Sequence, residues 1–161
     1  ALQWILENIP EFRDEIVDVS DDYNALQFAM YQDNIEAAIC ILENAYVYRD
    51  VTIKINEELN ILGYTIRHNQ LEALQWILEN ISQFSDEVVD VCENKNALQY
   101  AISRNNPRAI KCLIEYSQIY RDLAIVDEEL NILDWAIKNN RHEIIKYLST
   151  FILQYCDNNT Y

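Results

Sequence analysis

Apolar residues along this chain come in short bursts at helical spacing, separated by polar breaks. From Asn24 the sequence runs through Leu26, Phe28, Ala29 and Met30, breaks at Asp33-Asn34, and turns apolar again from Ile35 or Glu36 through Leu42. That pattern predicts two short helices joined by a tight turn. Asn24 is placed to cap the first, because its side-chain oxygen can accept from an otherwise orphaned helix N–H. Helices this short are marginal in water and must bury a face against neighbours.

Repetition supplies the neighbours. The sequence ALQWILEN fills positions 1–8 and again 73–80, an offset of 72, and Asn24-Ala25-Leu26-Gln27 returns as Asn96-Ala97-Leu98-Gln99. Asn60-Ile61-Leu62 and Asn131-Ile132-Leu133 complete the series, so the Asn anchors stand 36, 36 and 35 residues apart. Asp14, Asp50, Asp86 and Asp122 keep the same beat. A fixed period of this length marks stacked supersecondary units, each burying its apolar face only against the next.

The units resemble ankyrin repeats, which open T-P-L-H-x-A-A, turn at a Gly and continue E-I-V-x-x-L-L. The matching slots here read Asn24-Ala25-Leu26-Gln27-Phe28-Ala29-Met30, Asp33, then Glu36-Ala37-Ala38-Ile39-Cys40-Ile41-Leu42. The last unit reads Asn131-Ile132-Leu133-Asp134-Trp135-Ala136-Ile137, Asn140, then Glu143-Ile144-Ile145-Lys146-Tyr147-Leu148. Asn replaces the family's Thr, and its His becomes Gln27, Gly63, Gln99 and Asp134. The turn Gly becomes Asp33, Asn69, Asn105 and Asn140, the residue types that best tolerate left-handed backbone after Gly. The resemblance implies an all-α, ankyrin-like α-solenoid of stacked helix-turn-helix repeats with longer than usual connecting loops. Its divisions are a partial repeat at 1–23, repeats at 24–59, 60–95 and 96–130, and a last repeat with a C-terminal cap at 131–161. The family's extended finger hairpins are expected in the connections, where a short extra helix fits the added length equally well.

Two aromatic columns follow from the alignment. In the second helices Trp4, Cys40, Trp76, Cys112 and Tyr147 alternate a ring with a small thiol, the size complementarity of facing packed layers. In the first helices Phe28, Tyr64, Tyr100 and Trp135 read as a core ladder. The connections carry Phe12-Arg13-Asp14, Tyr48-Arg49-Asp50, Phe84-Ser85-Asp86 and Tyr120-Arg121-Asp122. There the ring is expected to fill the gap between second helices while the Asp caps or turns the chain, and an Arg–Asp chain along the array is conceivable.

Composition narrows the function. The 161 residues carry 27 Asp+Glu against 12 Lys+Arg, a formal charge of −15 that repels nucleic acid and anionic lipid. One Gly leaves no phosphate-cradling loop and few positions for tight β turns. Apolar runs such as Ala37–Leu42 are far too short to cross a bilayer, and with no charged n-region or small-residue cleavage site in the opening residues a signal peptide is not expected. The chain lacks an initiator Met and begins in a helical pattern, which reads as an excerpt of a longer polypeptide. Cys40, Cys92, Cys112 and Cys156 form no CxxC pair, so a reducing compartment is expected, the cytoplasm or a host cytosol. His68 and His142 stand in different repeats, outside any ligand cluster or Cys–His arrangement. No catalytic residue, cofactor or metal site is expected.

What remains is a surface for a protein partner. The resemblance implies a concave groove lined by finger tips and the far ends of first helices. The helix ends are Tyr31-Gln32, Arg67-His68, Ser103-Arg104 and Lys138-Asn139. The tips are Asp21-Asp22-Tyr23, Glu57-Glu58-Leu59, Glu93-Asn94-Lys95 and Glu128-Glu129-Leu130. The candidate binding residues are therefore Tyr31, Arg67, His68, Arg104 and Lys138 on the palm, with Asp22, Tyr23, Glu58, Lys95 and Glu129 on the fingers. Acidic fingers over a thin basic row suit a partner with a basic segment toward the tips and acidic or polar groups toward the palm. Helix dipoles alone would also place acids before each helix and bases after it. The resulting expectation is a non-catalytic, monomeric scaffold; the alternative is a docking or targeting module of a larger enzyme or a secreted bacterial or viral effector.

Overall fold

The computed structural model describes residues 1–158 apart from 22, 51, 53 and 57, and no side chain at 155. The first-helix layer contains α3 (Ala25–Tyr31), α5 (Ile61–Arg67), α8 (Ala97–Ser103) and α11 (Ile132–Lys138). The second-helix layer contains α1 (Leu2–Asn8), α4 (Ile35–Asn44), α6 (Leu71–Asn80), α9 (Pro107–Tyr116) and α12 (His142–Asn158). Each pair packs on itself and on its neighbour, α5 on α6 and α8, α6 on α4 and α9. The result is an all-α solenoid with one continuous core.

Connections contain both devices left open by the sequence. Short helical turns come first: α2 (Pro10–Asp14), a 3-10 turn at Tyr46–Arg49, α7 (Ser82–Ser85) and the longer α10 (Gln118–Val126). Two-stranded antiparallel fingers follow in two of them, β1 (Asp18–Ser20) with β2 (Tyr23–Asn24) and β3 (Asp90–Cys92) with β4 (Lys95–Asn96). The intervening finger keeps a single bridge, Lys54 with Asn60.

Four Asn side chains start the first helices, accepting from the backbone N–H three residues on: Gln27, Gly63, Gln99 and Asp134. Gln27 and Gln99 return the bond to the backbone N–H of Asn24 and Asn96, closing capping boxes. Asp33, Asn69, Asn105 and Asn140 all sit in left-handed backbone, with φ between 51° and 55°. The residue after each of the last three left-handed positions reaches back across the junction to the preceding repeat: Gln70 to Asp33, Asn106 to the Ile66 carbonyl, and Arg141 to Asn105. These bonds staple successive turns together.

The connection rings are buried as expected: Tyr48, Phe84 and Tyr120 are essentially inaccessible, and Phe12 packs against the same core. The backbone groups of Val17 and Ala25 face the Tyr48 hydroxyl, and those of Val89 and Ala97, 72 residues on, face that of Tyr120.

Three expectations need correction. Phe28 is 41% exposed, whereas Tyr64 and Tyr100 in the same column are buried. Among the described residues α3 has a first-layer helix on one side only, so its ring lacks the second wall that Tyr64 and Tyr100 enjoy. Trp4 needs no such correction: its unit begins without a first helix, which predicts a partly uncovered ring, and it is 62% exposed. The Arg–Asp chain does not form: only Arg13 and Asp14 pair, at 2.7 Å and on the surface. Arg49 and Arg121 instead donate back to the last carbonyls of the preceding second helix, Leu42 and Glu43 or Ile114 and Glu115. A guanidinium fork satisfies two orphaned carbonyls at once and meets the negative end of the helix. Of the connection Asp residues, Asp50 alone closes a turn, accepting from both the backbone N–H and the hydroxyl of Thr52.

Candidate functional site

The finger tips and first-helix ends come together in the first two complete repeats. Tyr23, at the start of β2, stacks on Tyr31, the last residue of α3, with ring centroids 5.2 Å apart. Glu58 lies 3.8 Å from Arg67 at the end of α5, both side chains well exposed. Such a pair is held weakly in water, so both groups stay available to a third charge.

Behind Arg67, His68 caps α5 and stacks on Tyr64 at 4.2 Å. Partial burial against that ring, reinforced by the Arg67 charge, holds the imidazole below its ordinary pKa, while Asp33 pulls the other way. Burial likewise pushes the Tyr64 and Tyr100 phenols up.

The other candidates are spread along the array. Arg104 caps α8 and is exposed. Lys138, the last residue of α11, pairs at 2.6 Å with Asp134 one turn earlier, and both side chains stay exposed. Lys95 and Glu129 are exposed on their tips and are not drawn into the Tyr23–Tyr31 or Glu58–Arg67 clusters. Asp22 and position 57 lie outside the described residues.

Sequence reasoning missed Arg108, the second residue of α9. It opens with Arg67 and Arg104 onto a shallow cavity of about 300 Å³ between the turns at Asn69 and Asn105. The missed signal was a Glu-to-Arg switch at one repeat position, visible only when the units are compared at that column. A larger cleft of about 860 Å³ lies along α6, α9 and the start of α12, lined by both charge signs.

No cysteine among the described residues is in a disulfide. Burial pushes the Cys112 thiol up to about 12 and raises that of Cys40, as befits small core groups. His142 is tied through Nδ1 to the Asn140 carbonyl at 3.0 Å. Among the described residues no group of three or more His, Cys, Asp or Glu could hold a metal ion. Nor is any helix long and apolar enough to cross a membrane.

In comparisons with known proteins, a family model described as ankyrin repeats (3 copies) matches residues 62–160. No curated protein and no solved structure matches the chain. That family is typically non-catalytic and its repeats are generally protein–protein interaction modules. The match spans well over half of the sequence and coincides with the stacked helix pairs from α5 to α12, so the chain belongs to the ankyrin repeat family.

Proposed function

We propose that this chain is a non-catalytic scaffold that holds a segment of a protein partner across the face formed by its finger tips and first-helix ends. The observation that carries the reading is the pairing of tip with palm, Tyr23 on Tyr31 and Glu58 beside Arg67. It puts exposed aromatic area and both charge signs on one accessible strip. Tyr31 offers a rigid, amphipathic ring that is 62% exposed, the kind of side chain that anchors interfaces. A partner segment with Lys or Arg toward Glu58 and Glu129, and acidic or polar groups toward Arg67 and Arg104, is complementary to it. Four cysteines without a disulfide fit action in a reducing compartment such as the cytoplasm.

The test is capture of partners by the intact protein, followed by charge reversal of Arg67, Arg104 and Lys138 to Glu. Loss of the captured protein with an unchanged circular dichroism spectrum is the expected result. Undiminished retention by the triple variant would overturn the reading of the palm.

A further inference from the structure

We propose that the cavity between the Asn69 and Asn105 turns is a receptor for one oxyanionic side chain, a phosphate monoester or a carboxylate, carried by a protein segment. The inference rests on the reading of the adjoining face as a protein-binding surface and names the chemistry of one of its subsites. Three arginines, Arg67, Arg104 and Arg108, line the cavity together with Asn69, Asn105 and Asn106. Among the described residues no Asp or Glu lines it, in a chain where acids outnumber bases 27 to 12.

Helix electrostatics accounts for two of the three. Arg67 and Arg104 stand at the C-terminal ends of α5 and α8, where a cation is favoured. Arg108 stands in the first turn of α9, where a cation is disfavoured. Its counterparts are Glu36, Glu72 and Glu143, each an acid in the first turn as the dipole prefers. One repeat departs from that rule, and it does so where the departure adds a third guanidinium to the other two.

Arg104 and Arg108 have no carboxylate partner among the described residues, and Arg67 has only Glu58 at 3.8 Å. The walls are fixed: Asn106 donates through Nδ2 to the Ile66 carbonyl at 3.0 Å, locking the two turns together. Arg141 donates to Asn105 Oδ1 from behind, adding a fourth positive charge to that wall. Guanidinium forks match the oxygens of carboxylate and phosphate bidentately. The net charge of −15 acts against a polyanion laid along the surface, because repulsion from the remaining acids extends over about 8 Å at physiological salt. A single anion on an otherwise neutral or basic peptide escapes that repulsion.

The test uses the full chain, titrated with inorganic phosphate and separately with acetate at constant ionic strength, and followed by 15N–1H NMR. The expected result is a saturable response with a Kd of about 1–10 mM. It appears at the Arg67, Arg104 and Arg108 Nε–H groups and the Asn105 and Asn106 amides, and weakens at least tenfold in Arg104→Gln/Arg108→Gln. Arg108→Glu restores the rule of the other repeats and is expected to abolish binding while the melting temperature holds or rises. Equal affinity for the two anions assigns an acidic side chain, and preference for phosphate assigns a phosphorylated one. An absent or non-saturating response, one that survives the double substitution, or one shared equally by Arg13 and Arg49 overturns the proposal. Phosphate binding by a chain that captures no partner upholds the pocket and fails the broader reading; partner capture without phosphate binding does the reverse.

Discussion

Gln70 donates through Nε2 to Asp33 Oδ1 at 2.8 Å, joining residues 37 positions apart across a repeat junction. Gln70 is buried and its Oε1 has no hydrogen-bond partner; its Nε2 also donates to the Met30 carbonyl, but at 3.4 Å, so the shorter, charge-assisted bond to Asp33 is the stronger of the two. Asp33 itself holds φ at 54°, a conformation that glycine adopts more easily. Two effects therefore oppose each other at this residue. At Asn140, with the same φ of 54°, only the backbone effect operates. Asn140→Gly is expected to leave stability unchanged or raise it by up to about 1 kcal/mol. Asp33→Gly is expected to lower it by about 1–2 kcal/mol, since a hydrogen bond to a charged group is worth about 1.5–3 kcal/mol. Urea denaturation of the two variants checks this, and equal stabilisation by both would show that the Gln70 bond contributes nothing.

Gly63 occupies the slot filled by Gln27, Gln99 and Asp134 in the other units, and sterics accounts for the exception. A Cβ built there would stand 2.9 Å from both Leu59 Cδ2 and Val91 Cβ, and 3.2 Å from the Val91 carbonyl oxygen. The finger strand β3 crosses directly over α5, and the Val91 backbone cannot step aside without breaking its bond to the Asn60 N–H. Gly63→Ala is thus expected to destabilise by about 1–3 kcal/mol despite the better helix propensity of alanine. Thermal melts of this variant against Gln99→Ala, which loses a capping bond but meets no such clash, separate packing from capping.

Much of this architecture is legible from period and residue type. The Asn caps, the left-handed Asp and Asn turns and the buried rings at Tyr48, Phe84 and Tyr120 follow from physical rules applied one repeat at a time. What escapes such reading depends on neighbours. Phe28 and Tyr64 share a column, yet one is exposed and the other buried, because exposure is set by what stands in the adjacent layer. The Arg67, Arg104 and Arg108 cluster escapes for a related reason. Its members come from two adjacent repeats and from different positions within them, so no single column contains it.

Arg49 and Arg121 were legible as charges but not as caps. Arg121 donates through Nε to the Ile114 carbonyl and through Nη2 to that of Glu115, both at 2.8 Å, and its guanidinium lies 4.4 Å from the centre of the Phe151 ring. A lysine keeps the charge but cannot fork between two carbonyls or lie flat on the ring. Arg121→Lys is expected to cost about 1–2 kcal/mol by denaturant titration, from the loss of charge-assisted bonds to backbone. Arg13→Lys, which touches only surface Asp14, is expected to change stability by less than about 0.5 kcal/mol. Equal effects in the two variants would remove the capping role.

Alkaline pH attacks the fold at its buried phenols and thiols. Burial pushes Tyr120 from an ordinary value of 10.0 up to about 12, and Cys112 from 9.0 up to about 12. Both groups are protonated in folded and unfolded chains below about pH 8, and stability there is insensitive to them. Above the ordinary values the unfolded chain releases protons that the folded one retains, so stability falls as pH rises and the loss is complete only beyond about pH 12. At about 1.4 kcal/mol per pH unit, the two groups together remove on the order of 7 kcal/mol, comparable to the whole stability of many domains. Unfolding between pH 10 and 12 is the expected outcome, followed by circular dichroism alongside the phenolate absorbance. Tyr120→Phe removes one of the two groups and should shift the midpoint upward, measured against its own stability at pH 7. A midpoint that does not move would mean that Tyr120 ionises without disturbing the core.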